Sequence, residues 1–332
     1  MLRYMARRLV MLIPILILMS LVAFVLIQLP PGDYVTYRIN QLALSGIETS
    51  EAEAQRLMRE FGLDLPVPLR YWRWVSNIVT SGNWGWSMQW SKPVWEVLAP
   101  RLPNTILISL GSLLLSWAIA VPIGIFSATH QYSVLDYIAT FLGFFGVATP
   151  GFLIALILAW VVFTRLGYSP LGLFSVEFLD QPWSWPKFVD LLKHVWLPLT
   201  MVGLSSTGST IRVIRNNLLD ELQKQYVTTA RAKGLPEWKL LLKYPVRMAI
   251  NPLLSTMSSI LPGLISGAVL IDIILNLPTL GPVLLRATLA QDMYLAGSIT
   301  LILSAMTVIG ALLGDLLLAV ADPRIRFGRA GR

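Results

Sequence analysis

The segment Tyr226-Val-Thr-Thr-Ala-Arg-Ala-Lys-Gly-Leu-Pro-Glu-Trp238 has the residue types and spacing best suited to chemistry, and that chemistry is recognition rather than bond-making. Arg231 and Lys233 supply charge, Ala230 and Ala232 are small, and Gly234 suits the end of a helix. Tyr226, Ala230 and Gly234 fall four apart, on one helical face where small side chains permit close approach of another protein. Apolar stretches precede and follow it, so a short helix held at a membrane surface and offered to the water phase is expected. A basic juxtamembrane helix bound to anionic lipid has the same composition; the order of residues favours docking.

Catalytic chemistry is thinly represented. The chain has no cysteine, which excludes disulfides, thiolate nucleophiles and Cys-based metal sites. Its two histidines, His130 and His194, lie far apart, which gives no support to a His-rich metal site or a Ser/His/Asp triad. No G-x-x-x-x-G-K-[ST] loop is present, so the chain is expected neither to hydrolyse ATP by itself nor to bind a cofactor. An ion-coupled carrier calls for ionisable groups at mid-membrane, whereas Asp272 falls near the outer end of one apolar stretch and Asp315 near the inner end of another. By its place Asp272 reads as a helix-end acid bonded to backbone or Arg286. Ser255, Ser259 and Ser266, with Pro262 and Gly263, share a face at helical spacing. They either pack helices, as Gly263-x-x-x-Gly267 and Gly310-x-x-x-Gly314 suggest, or line a water-filled pathway.

The elements that position these residues are membrane spans. Of 332 residues 55% are apolar and only 13% charged, against roughly 25% charged in a soluble domain. The net charge of +8 is read as basic loops on the cytoplasmic side of a bilayer, not as nucleic-acid binding. About 20 residues cross the core of a bilayer, and six stretches qualify: Leu9 to Leu29, Asn104 to Ala128, Tyr137 to Phe163 as one long span kinked near Pro150, Leu191 to Ile214, Ile250 to Leu275, and Tyr294 to Val320. The fold class is therefore all-α integral membrane, with an external domain between the first two spans. Residues 1–30 hold the N-terminus and first span, 31–103 the external domain, 104–320 a five-helix core with a cytoplasmic loop at 212–248, and 321–332 a cytoplasmic tail. Residues 1–8, 212–247 and 321–332 carry 15 of the 26 Lys and Arg, which puts both termini inside. In the external domain Ser50 and Glu53 form a capping pair. Its tryptophans, Trp72, Trp74, Trp84, Trp86, Trp90 and Trp95, suit interface anchoring or stacking on a solute.

The segment at Thr228-Thr229-Ala230 and Gly234 resembles the coupling loop of the membrane subunits of ABC importers, usually Glu-Ala-Ala, three residues, then Gly; the Glu is absent. Thr229 to Leu235, Thr-Ala-Arg-Ala-Lys-Gly-Leu, is similar to the branch that carries oligopeptides and dipeptides. So are Tyr71 to Trp74, Gly82 to Ser87, Arg101 to Thr105, Asn276 to Gly281 and Asp322 to Gly328. The resemblance implies an inner-membrane permease subunit paired with a second homologous subunit, two ATP-binding subunits that carry ATP and Mg, and an external solute-binding protein. The same resemblance implies a gate role for Asp272. Oligosaccharides and nickel complexes are alternative cargoes.

Overall fold

In the computed structural model, which describes residues 2–29, 32, 34–44, 55–56, 58–59, 62–255 and 268–321, apolar runs become helices because a helix satisfies its own backbone where water is absent. In order they are α1 (Leu2–Gln28), α2 (Tyr34–Leu44), α3 (Val67–Ser81), α4 (Val94–Leu98), α5 (Leu102–Thr129), α6 (Val134–Ala148), α7 (Gly151–Leu166), α8 (Trp185–Leu222), α9 (Gln225–Ala232), α10 (Glu237–Lys243), α11 (Pro245–Ala249), α12 (Asn251–Ser255), α13 (Leu280–Leu289) and α14 (Met293–Ala321). The sheet among the described residues is one hairpin, β1 (Trp86–Ser87) antiparallel to β2 (Lys92–Pro93). Among the described residues two helices are long and apolar enough to cross a membrane, α5 and the Met293–Leu318 part of α14, and a bent pair over 134–166 makes a third if taken as one span. The expected pair Ser50 and Glu53, and the tail after Ala321, lie outside the described residues.

The stretch 137–163, expected as one span kinked near Pro150, does break there: it forms two helices, α6 and α7, that meet at 101° and pass for a membrane span only when taken together. The residue before a proline is pushed out of the helical region; Thr149 is extended, with φ −98° and ψ 131°, and Pro150 starts the next helix. At 15 and 16 residues each half is about 22–24 Å long, short of the ~30 Å hydrocarbon core.

The chain divides into two units. One gathers Leu2–Thr105 with Thr279–Met306, around a core of Val94, Leu98, Leu280, Leu295 and Ile299. Trp74 is not an interface anchor: it is 2% exposed, stacks on Phe24 at 5.7 Å between centroids, and donates from Nε1 to the carbonyl of Trp84. Trp72, at 69% exposed, keeps the anchoring role open. Asp292 ties the hairpin to the start of α14. Its carboxylate accepts from Ser87 Oγ at 2.7 Å, from the Gln89 N–H at 3.0 Å and from the Leu295 N–H at 3.3 Å. Burial pushes this carboxyl above the usual range, and the Ser87 and backbone donors pull it back. Asp292→Ala strands those donors and removes a helix cap, so a loss of about 2–4 kcal/mol in unfolding free energy is expected. Thermal unfolding of the detergent-purified protein measures it.

The other unit is built from Ile106–Pro278 and the chain from Thr307 on. Its core holds Ile108, Leu113, Ala155, Leu197, Ile271 and Leu275. Helix α8 packs along α5, α6 and α7 through close backbone approaches. A Cβ on Gly203 would stand 3.1 Å from the Ser112 carbonyl oxygen, and one on Gly208 only 2.4 Å from that of Gly143. Ser206 and Thr207, in the polar run Ser205–Thr210 inside this helix, bond to Ser116 Oγ of α5 at 3.2 and 3.0 Å. At these positions the run is helix packing.

Candidate functional site

Helix α8 is the element that positions the site. Its 38 residues span about 57 Å at 1.5 Å per residue. Between His194 and Arg212 there is no ionisable side chain, a stretch of about 27 Å and close to one hydrocarbon core. Beyond Arg212 the helix continues without interruption to Leu222. The loop expected from residue 212 therefore begins a full ten residues later, because Leu218, Leu219 and Leu222 keep packing against Ala128, Val246, Ala249 and Leu241.

Asp136 and Arg215 brace this extension. Arg215 donates from Nε to Asp136 Oδ1 and from Nη2 to Oδ2, both at 3.0 Å, and the Tyr132 N–H completes the acid's partners at 3.0 Å. Ser133 Oγ caps α6 by accepting from the Asp136 N–H. The Ser-x-x-Asp spacing signals the cap; nothing local signals the arginine 79 residues on. Bidentate geometry and a 3%-exposed carboxylate make this pair worth more than a surface bridge. Asp136→Ala is expected to destabilise by about 2–3 kcal/mol, with a double-mutant cycle against Arg215→Ala returning at least ~1.5 kcal/mol of coupling. A coupling energy indistinguishable from zero would show the pair idle.

The chain turns at Gln223 and Lys224 into the hairpin α9–α10. Val227 and Ala230 of α9 and Leu240 of α10 are buried together, with Leu222, Leu235 and Tyr244 around them. Gly234 ends α9 in the left-handed region, at φ +73°. The Gly234 N–H donates to the Arg231 carbonyl at 3.0 Å and the Leu235 N–H to that of Ala230 at 3.5 Å, a Schellman motif. Pro236 then starts α10, with the acid Glu237 in its first turn, favourable to the helix dipole.

Arg231 clamps Glu237 through Nη2 at 2.5 Å and Nε at 3.2 Å. That bond holds the Glu237 carboxyl below the usual range. Its small contribution is present above the ordinary glutamate pKa and fades as pH falls through the lowered one. Tyr226 donates its hydroxyl to Glu221 of α8; burial, then that carboxylate, push the phenol up. Thr228, Thr229, Arg231, Ala232, Lys233 and Gly234 are exposed and Leu235 is half-buried. Ala230, expected on a face that meets another protein, is 7% exposed: it packs in the hairpin's core and also borders the adjoining groove. Tyr226, Thr229 and Lys233 line a groove beside it that ends at Leu235 and Tyr244.

Of the pathway candidates, Ser255 is exposed and donates to its own helix at the Asn251 carbonyl, 3.1 Å away. Ser259 and Ser266 lie outside the described residues. Asp272 is 4% exposed, next to Ile271 of the core, and its backbone carbonyl accepts from the Leu277 N–H at 2.7 Å.

The sequence matches the family described as binding-protein-dependent transport system inner membrane component over residues 120–327, and that family's N-terminal membrane component over residues 1–110. It is 34% identical to the oligopeptide transport system permease protein AppB of Bacillus subtilis over 325 residues, 98% of this chain and 99% of the relative. A putative peptide permease protein of Brucella suis is 34% identical over 327 residues, again 98% and 99% of the two chains. The dipeptide transport system permease protein DppB of Escherichia coli is 29% identical over 342 residues, with the same coverage. With matches of this extent, the chain belongs to the family of inner-membrane components of binding-protein-dependent transport systems.

Proposed function

We propose that the chain is the membrane subunit of an ATP-driven peptide importer, forming part of the pathway for oligopeptides or dipeptides while ATP is hydrolysed on separate subunits. The single observation that carries the reading is the exposed basic hairpin α9–α10 borne on one continuous helix, α8. A rigid helix delivers movement at its end to the helices packed along it. An ATP-binding subunit docked on residues 226–235 would therefore move α8 against α5 and α6, opening the pathway to each side in turn. In this reading the partners are a second homologous permease subunit, two ATP-binding subunits and an external solute-binding protein, and the chain binds no cofactor of its own. Six spans put both termini in the cytoplasm and residues 31–103 outside. Ser255, Ser259, Ser266 and Asp272 are assigned to the pathway or its gate. Peptide cargo rests on the names of the relatives, AppB, DppB and the Brucella suis permease.

The test is uptake into vesicles holding the assembled transporter. ATP-dependent accumulation of labelled di- and oligopeptides is expected, with no uptake when the ATP-binding subunits are omitted. Accumulation of oligosaccharides or nickel chelates in place of peptides would overturn the cargo, and uptake driven by an ion gradient alone would overturn the mechanism.

A further inference from the structure

The surface that α9 offers for docking is concave. Tyr226, Thr229 and Lys233 line a groove closed by Leu235 and Tyr244. Its walls are fixed from within. Tyr226 is held to Glu221, Thr229 Oγ1 donates to the Gln225 carbonyl at 2.9 Å, and the Tyr226 and Tyr244 rings stand 6.4 Å apart. A preorganised recess of this kind receives a side chain; it does not insert one.

The charge of the recess selects what enters. The two cations of α9 and its cap differ: Arg231 is spent on Glu237, whereas Lys233 makes no ion pair among the described residues. The Gln225 carboxamide, a further donor, borders the same groove. From Lys224 to Arg247 the chain carries six Lys and Arg against one acid, Glu237, so the surrounding potential attracts anions. We propose that this groove is a socket for an Asp or Glu side chain projecting from the ATP-binding partner, its carboxylate held by the Lys233 ammonium and the Gln225 amide. The proposal rests on the coupling reading above and adds a direction to it: at this point the membrane subunit supplies the hole and the ATPase the knob. It also fits the missing acid of the loop, since a Glu in place of the exposed Thr228, one turn from the groove, would place a like charge near the entering carboxylate.

The chain has no native cysteine, so each cysteine introduced into it is its only one, and any cysteines of the partner subunits are replaced first. Thr229→Cys, in the groove, and Ala232→Cys, exposed on α9 outside it, are each paired with single cysteines across the surface of the ATP-binding subunit. Thr229→Cys is expected to cross-link selectively to a cysteine replacing an Asp or Glu of the partner. Lys233→Glu is expected to lower peptide uptake at least tenfold, with uptake restored when that partner acid is changed to Lys. If Ala232→Cys cross-links to the partner but Thr229→Cys pairs with no acidic position, docking stands and the socket is refuted. If neither cross-links, both fall. Wild-type uptake by Lys233→Glu also refutes the socket.

Discussion

Gly234→Val and Gly234→Asn are both expected to cut peptide uptake by ten- to a hundredfold while the assembled transporter keeps its basal ATP hydrolysis. Two physical causes compete at this residue, and the pair of variants separates them. At φ +73° a residue with a Cβ pays about 1–2 kcal/mol in the left-handed region, and Asn tolerates it far better than a β-branched residue. Inside this chain a Cβ at 234 meets nothing within 4 Å. If the glycine served only the turn, Asn would behave almost as wild type. If the coupling reading is right, the empty space over Gly234 belongs to the partner, and either side chain overpacks that contact by roughly 1–3 kcal/mol, which is about ten- to a hundredfold in an equilibrium. Uptake and ATPase rates in the same vesicles decide the matter. Normal uptake by Gly234→Asn removes the close approach, and normal uptake by Gly234→Val removes the docking role altogether.

What the sequence discloses follows how local the cause is. Helices α5 and α14 lie within two residues of their expected bounds, because an unbroken apolar run specifies a helix with no outside help. Gly234 was equally legible, as the only residue type suited to a left-handed helix end between Lys233 and Leu235. The break at Pro150 was visible but its size was not. Proline forbids the helical conformation at Thr149, yet the 101° between the halves depends on what each half touches: Gly143 and Gly146 lie on Gly208 and Leu204, while Gly151 lies on Ile271. The brace from Asp136 to Arg215 and the inward turn of Ala230 have the same character. Each is decided by a residue on another element, and no periodicity within α6 or α9 encodes it. The tryptophans show the limit of composition: Trp72 and Trp74 are two residues apart, and opposite faces of α3 make one exposed and the other buried.

Gly208→Ala is expected to destabilise the fold by about 1–3 kcal/mol, Gly208→Val by more, while Gly143→Ala is expected to cost less than ~1 kcal/mol. The two glycines face each other where α6 crosses α8, so a pattern-based view would treat them alike. Their surroundings differ. A methyl on Gly208 would fall 2.4 Å from the Gly143 carbonyl oxygen and 2.8 Å from its Cα, both backbone atoms that cannot swing away. A methyl on Gly143 would meet the Gly208 Cα at 3.4 Å, an ordinary contact. Relief of the first clash requires α6 to back off from α8, and that loosens neighbouring contacts of the same crossing: Gly146 on Leu204, Arg212 over the Phe144 ring at 4.6 Å, and the Arg215–Asp136 pair. If the hairpin at the end of α8 couples as proposed, Gly208→Ala should also lower uptake per ATP hydrolysed, and Gly143→Ala should not. Thermal unfolding of both variants in detergent, read beside vesicle uptake, checks the asymmetry. Equal unfolding temperatures for the two would mean that α6 yields freely and that the crossing does not hold α8.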